Sequence, residues 1–265
     1  MPKIRFEGGP PVSHNDILLN LMCARALGLP MVKKVPAHER KLAIVGGSPS
    51  VGDYLEELRA FDGDIWAVNG ACRWLHERGI ESTFISVDPH EIVVKWVGPE
   101  VKKALLCARI HPDVFQVLKH AEVQIFELYQ DNAVNGVHCC SSTASLGFDL
   151  ATDLGYRNVT WYGCEGSYGG NLNGDNASDK THAYAEPSEK REERMVIECG
   201  GKEYLTAPDF YIQSCELSEL ICKFPLYFRE RSGGLLRAMV ESGGEHEITK
   251  ISRKLQSILK PMETA

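Results

Sequence analysis

The stretch Gly46-Gly47-Ser48-Pro49-Ser50 combines residue types that suit anion binding. Glycines let a ligand approach the main chain, a proline sets a turn, and a serine just before a helix can cap it or bond an anion. It is not a Walker loop, since no lysine follows the glycines, and it is not the dinucleotide G-x-G-x-x-G pattern. A plain structural turn accounts for the same residues almost as well. A second candidate, Asn69-Gly70, closes the run "DIWAVNG". Its amide could read a base or ribose edge, though spacing alone favours a simple helix cap. A third, Asp88, closes "STFISVDPH", where a carboxylate after an apolar strand is available to a metal, a hydroxyl or a helix N-terminus. His90, two residues on, could join it, although an exposed loop histidine also explains it. A fourth, Ser141-Ser142-Thr143, opens "SSTASLGFDLATDLG", where three hydroxyls and the unpaired N–H groups of a helix start could form a phosphate or oxyanion platform. An N-cap with a spare serine is the simpler reading. Finally, Glu165 ends "NVTWYGCEG", and the loop beyond it supplies Asp175, Asp179, His182 and Tyr184. A lid over residues 166–194 that carries a histidine across a strand-end carboxylate would suit general acid–base work.

The elements that must position these residues follow from periodicity. From Lys41, the apolar runs "KLAIVGG", "DIWAVNG", "STFISVD", "ALLCARI", "VQIFEL" and "NVTWYGCEG" alternate with helix-like segments. That alternation predicts βαβ units, hence an α/β fold with a mostly parallel sheet covered by helices on both faces. Right-handed crossovers place every strand end on one rim, where open parallel sheets bind ligands. Residues 1–40 read as an N-terminal extension with a short apolar helix, "ILLNLMCARALGLP". Residues 41–230 read as the main domain, including a hairpin at "MVIECGGKEYLT" closed by Gly200-Gly201 and a helix at "DFYIQSCELSELICKF". Residues 231–265 read as a polar C-terminal tail with a final short helix.

Composition sets the outer limits. Of 265 residues 43% are hydrophobic, enough for one sizeable core. Lys and Arg total 29 against 36 for Asp and Glu, a formal charge of -7, so no nucleic-acid partner is expected. No run reaches eighteen apolar residues and no leader-type segment opens the chain, so no membrane partner and a cytoplasmic location are expected. The nine cysteines are odd in number and irregularly spaced, with no C-x-x-C pair, which reads as reduced thiols. The adjacent Cys139-Cys140 precedes a helix start, but packing explains it better than nucleophilic chemistry.

Taken together, "VGGSPSV", "WAVNGACRWLHERGI", "SVDPH", "SSTASLGFDLATDLGYRNVTWYGCEGSY" and "THAYA" resemble the Rossmann-like proteins related to archaeal 6-hydroxymethylpterin diphosphokinase, the MptE-like family. The resemblance spans roughly residues 41–225. Gly47, Pro49, Ser50, Asp88, Ser142, Gly163, His182 and Tyr184 match the family pattern, whereas Ser48 stands for a glycine, Val51 for a leucine and Glu165 for an aspartate. The first turn is also similar to that of bacterial sialyltransferases that use a cytidine-monophosphate sugar. What the resemblance implies is a Rossmann-like three-layer sandwich with a nucleotide, ATP or a nucleotide sugar, on the strand-end rim.

The leading expectation is a nucleotide-dependent transferase of diphosphokinase type, moving a diphosphate from ATP to a small hydroxymethyl acceptor such as a pterin. In that picture Gly46, Gly47, Ser48, Pro49, Ser50, Asn69, Ser141, Ser142 and Thr143 hold the nucleotide and its phosphates. Asp88 and Glu165 place Mg²⁺ or the acceptor hydroxyl, His182 is acid, base or phosphate donor, and Tyr184 is a wall. The alternatives are glycosyl transfer from a nucleotide sugar and a non-catalytic nucleotide-binding accessory protein, towards which Ser48 and Glu165 lean. A homo-oligomer through the N-terminal or C-terminal helix is left open.

Overall fold

The structure is a computed structural model that describes residues 12–131, 136–137, 142–168 and 195–243. Ser13 accepts a hydrogen bond from the Asp16 N–H at 3.1 Å and thereby starts α1 (His14–Ala26). Along the chain follow β1 (His38–Val45), a 3₁₀ helix (Pro49–Tyr54), α2 (Leu55–Arg59), β2 (Gly63–Val68) and α3 (Ala71–His76). Next come β3 (Thr83–Ser86), a second 3₁₀ helix (Glu91–Trp96), β4 (Lys103–Cys107), α4 (Pro112–Val117), β5 (Glu122–Phe126), α5 (Thr143–Asp153) and β6 (Tyr156–Tyr162). The hairpin β7 (Met195–Cys199) and β8 (Lys202–Thr206), then α6 (Pro208–Lys223), β9 (Phe228–Arg231) and α7 (Gly234–Glu241) complete the described fold.

Seven strands form one sheet in the order β5-β4-β3-β2-β1-β6-β9, and every pairing in it is parallel. The period-two geometry of a strand sorts β1 between two faces. Ala43 and Val45 pack with Val51, Leu58, Leu75, Leu118 and Tyr162 on one side. Leu42 and Ile44 pack with Leu146, Leu150, Trp161, Leu217 and Leu236 on the other. Helices therefore cover both faces, giving a Rossmann-like three-layer fold. The predicted hairpin is present as an antiparallel pair whose turn uses Gly200 and Gly201 at φ 60° and 72°.

Both predicted boundaries fall inside strands: residue 40 within β1 and residue 230 within β9. The N-terminal segment packs on the sheet's own helices through Leu21 and Ala24. Met31 then bridges Ile125, with the Val32 N–H donating to Ile125 O at 2.8 Å, which covers the β5 edge. At the other end β9 pairs with β6 from Val159↔Phe228 to Tyr162↔Arg231, and α7 buries Leu235 and Leu236 completely. The expected polar tail thus starts on the last residue of a sheet strand and continues into a core helix. Among the described residues no helix is long and apolar enough to cross a membrane.

Candidate functional site

The strands fan out in one direction from β1 to β5, and the chain then returns to place β6 on the other side of β1. That reversal puts the topological switch point at the carboxyl ends of β1 and β6, the location where open α/β sheets take ligands. The turn after β1 is locked to the turn after β6. The Gly46 N–H donates to Tyr162 O at 2.8 Å and the Ser48 N–H to Gly163 O at 3.0 Å. A Cβ on Gly46 would stand 2.5 Å from Gly163 O and 2.9 Å from Cys164 Sγ. Here the glycine serves a close approach of two strand ends.

Glu165 occupies the position where the sequence points to a phosphate. Its Oε1 accepts the Ser50 N–H at 2.6 Å, so the first turn of the 3₁₀ helix already faces a carboxylate from its own chain. The Glu165 N–H donates to Ser48 Oγ at 3.3 Å. Glu165 is 3% exposed, and burial pushes its carboxyl above the ordinary range. The Ser50 hydroxyl and N–H oppose that rise by favouring the charged form, while the negative charge of Asp53 adds to it. The hydroxyl lies against the carboxylate without completing a hydrogen bond of normal geometry.

A third turn, unnoticed in the sequence, joins this point. The Cys164 N–H donates to Ser232 Oγ at 2.9 Å, the Leu235 N–H to Ser167 Oγ at 3.2 Å, and the Leu236 N–H to Glu165 O at 2.9 Å. Gly234, at φ 56°, would drive a Cβ into Ser167 Oγ and Glu165. The hairpin adds another tie, with Thr206 Oγ1 donating to Gly166 O at 2.6 Å. Residues 166–168 of the expected lid are therefore buried anchors rather than part of a moving flap. The signal that could have exposed the third turn was "RSGG", a serine and two glycines after a short strand.

Further along the rim, Asn69 follows β2 in a left-handed conformation, φ 50°, with a buried Oδ1 that has no donor among the described residues. Asp88 follows β3, and its Oδ1 lies 2.6 Å from His90 Nδ1. Ser142 is the N-cap of α5: its Oγ accepts the Ser145 N–H at 3.1 Å, and Ser145 Oγ accepts the Ser142 N–H at 3.2 Å, a capping box. Thr143 is buried beside it. Trp161 Nε1 donates to Ala144 O at 3.0 Å, which sets the start of α5 over the carboxyl end of β6, on the face opposite Val51. The two corners share one rim and approach it from opposite sides of the sheet. Ser141, Asp175, Asp179, His182 and Tyr184 lie outside the described residues.

Asp88 and Glu165 do not meet. With β2 and β1 between their strands, the rim separates them by roughly 14 Å at ordinary strand spacing. One carboxylate is engaged by His90 and the other by Ser50. The pair does not fit a shared Mg²⁺, which needs ligand oxygens at about 2.1 Å, and no step is routed through one. Among the described residues no group of three or more His, Cys, Asp or Glu side chains is gathered as a metal site requires.

A groove of about 650 Å³ opens on the opposite rim, at the amino ends of β2, β3 and β4, beside Phe61, Asp64, His76, Ser82 and Lys102. Its charges are largely satisfied within the chain: Asp64 accepts from Arg40 at 2.5 Å and Glu81 pairs with Lys102. The chemistry-bearing residues gather on the carboxyl rim instead.

Among solved structures, the chain resembles the MAf glycosyltransferase from Magnetospirillum magneticum AMB-1, with a TM-score of 0.60 and 15% sequence identity. The match covers 83% of this chain and 37% of that one, so the chain spans little more than a third of its neighbour's length. At that identity the likeness is one of fold. No family model and no curated protein matches the sequence.

Proposed function

We propose that this chain is a nucleotide-dependent transferase that moves a glycosyl group from a nucleotide sugar to a hydroxyl acceptor. The observation that carries the choice is the Glu165 carboxylate on the Ser50 N–H. A diphosphokinase would need ATP's triphosphate on that turn and Mg²⁺ between two carboxylates. With Glu165 Oε1 already on the Ser50 N–H, an incoming phosphate finds that donor taken. A CMP-sugar brings a single phosphate to the rim and so asks less of that turn than a triphosphate does. Its base and ribose then look to the ends of β1 and β2, where Asn69 Oδ1 offers a buried acceptor in need of a donor. The glycosyltransferase fold neighbour supports the same reading at the level of architecture.

A thermal-shift panel of CMP-sugar, UDP-sugar, ATP and GTP, each with and without Mg²⁺, tests the proposal, followed by chromatography of the nucleotide released. A ligand at a hundred times its Kd adds about 2.7 kcal/mol to stability, so the hit is visible. A nucleotide sugar that stabilises the protein without Mg²⁺ is the expected result. Stabilisation by ATP with Mg²⁺ alone, with diphosphate transfer to a hydroxymethylpterin, would overturn it in favour of the diphosphokinase reading.

A further inference from the structure

His90, at φ -73° and ψ 146°, lies two residues after Asp88 in the loop that follows β3, and the two side chains meet there. Asp88 Oδ1 receives two contacts from His90: the ring Nδ1 at 2.6 Å and the main-chain N–H at 3.0 Å. The Asp88 N–H is itself tied to Ser86 Oγ at 3.3 Å. A carboxylate at Nδ1 selects the neutral tautomer that carries its proton there, leaving the lone pair on Nε2. The His90 side chain is 47% exposed, so Nε2 is open to a ligand on the rim.

The loop that holds this pair is clamped from the N-terminal helix. Asn20 of α1, 6% exposed, donates through Nδ2 to Pro89 O at 3.3 Å and to Arg109 O at 3.0 Å. One amide thereby fixes the turns after both β3 and β4. Arg25, a turn and a half further along α1, holds Glu127 through two hydrogen bonds of 2.7 and 2.8 Å. Such support is what a reacting side chain on a loop requires to keep its geometry.

We infer that His90, oriented by Asp88, is the general base that deprotonates the acceptor hydroxyl; the inference rests on the glycosyl-transfer reading. The acceptor O–H proton passes to Nε2 as the oxygen bonds to the anomeric carbon. The bond from that carbon to the donor's phosphate oxygen breaks, and its electron pair leaves with the nucleoside phosphate. Asp88 stabilises the imidazolium until solvent removes the proton. Glu165 is unsuited to this task, being buried and engaged by Ser50. Asn20 acts as a positioning residue.

The test compares wild type with His90→Gln, Asp88→Asn and Asn20→Ala. Each receives the nucleotide sugar that gives the largest stabilisation, with water and then glycerol as acceptor. His90→Gln keeps the ligand's thermal shift and loses about 100-fold or more in turnover, the usual contribution of a general base. Wild-type turnover falls on acidification, and that acid limb disappears in His90→Gln. Asn20→Ala lowers kcat, leaves the donor KM in place and keeps the acid limb. Turnover by His90→Gln within about threefold of wild type would overturn the assignment while leaving the transferase reading intact. A wild type that binds the donor yet releases no nucleotide overturns it too. If no nucleotide sugar stabilises the protein, the transferase reading falls and the assignment falls with it.

Discussion

Replacing Glu165 with glutamine separates the charge in the first-turn seat from its shape. Glutamine keeps an oxygen for the Ser50 N–H, now 2.6 Å from the carboxylate, but it cannot ionise. Burial raises the Glu165 carboxyl above its ordinary value of 4.5 in the folded protein. Between 4.5 and the higher folded value, the folded state binds more protons than the unfolded chain. Wild-type stability therefore loses ground as pH rises through that interval and levels off above it. One full proton corresponds to a slope of about 1.4 kcal/mol per pH unit. The variant lacks this slope, so its stability minus that of wild type climbs with pH across the interval and then becomes constant. At pH 4, where the wild-type side chain is protonated and nearly isosteric, the two proteins differ by only about 1 kcal/mol. Urea titrations followed by circular dichroism at half-unit steps from pH 4 to 8, with linear extrapolation, measure the difference directly. A flat difference would refute the reasoning. So would a difference that falls with pH, since it would mean that Ser50 outweighs burial.

Gly46→Ala forces a Cβ to within 2.5 Å of Gly163 O, and the clash should cost about 1–3 kcal/mol, read as a drop of several degrees in Tm; an unchanged Tm would remove the close-approach argument. The Cys72 and Cys164 thiols are buried and pushed up to about 12, whereas Cys23 is exposed. A maleimide-type or iodoacetamide label at pH 8, located by peptide mapping, should therefore find Cys23 in the native protein and reach Cys72 and Cys164 only in denaturant. Truncation after Glu230 removes α7 with Leu235 and Leu236, each of whose burial is worth about 1.5–3 kcal/mol, and should yield aggregated protein; a soluble product with the parental Tm would show that the tail is dispensable.

The parts of this fold that were legible are those where one physical signal dominates. In β1, "LAIV" is buried on both faces, so the run is apolar throughout and stops at glycine. The 195–206 hairpin announced itself through paired glycines that tolerate positive φ. β9 escaped because an edge strand of four residues with only Phe228 buried carries no run to detect. The rim on which the candidate residues fall was legible from the strand ends, whereas the contacts they make there were not. Two glycines and a serine look the same whether they approach a phosphate or a neighbouring strand end, and only the position of Gly163 distinguishes the cases. Glu165 was visible as a strand-end carboxylate, but its partner Ser50 lies 115 positions away, beyond any local pattern. The Asp88–His90 contact was the reverse case, short in sequence and therefore readable.

The three turns stitched around Glu165 belong to residues 46–50, 163–168 and 232–236, and their hydrogen bonds run mostly between segments. A ribosome releases them in that order, so the earliest waits, with its main-chain amides unsealed, for the latest to emerge. The sealing of this corner therefore waits on its last segment, and a nascent chain stalled before residue 236 exposes a half-sealed sheet edge to whichever chaperone reaches it first.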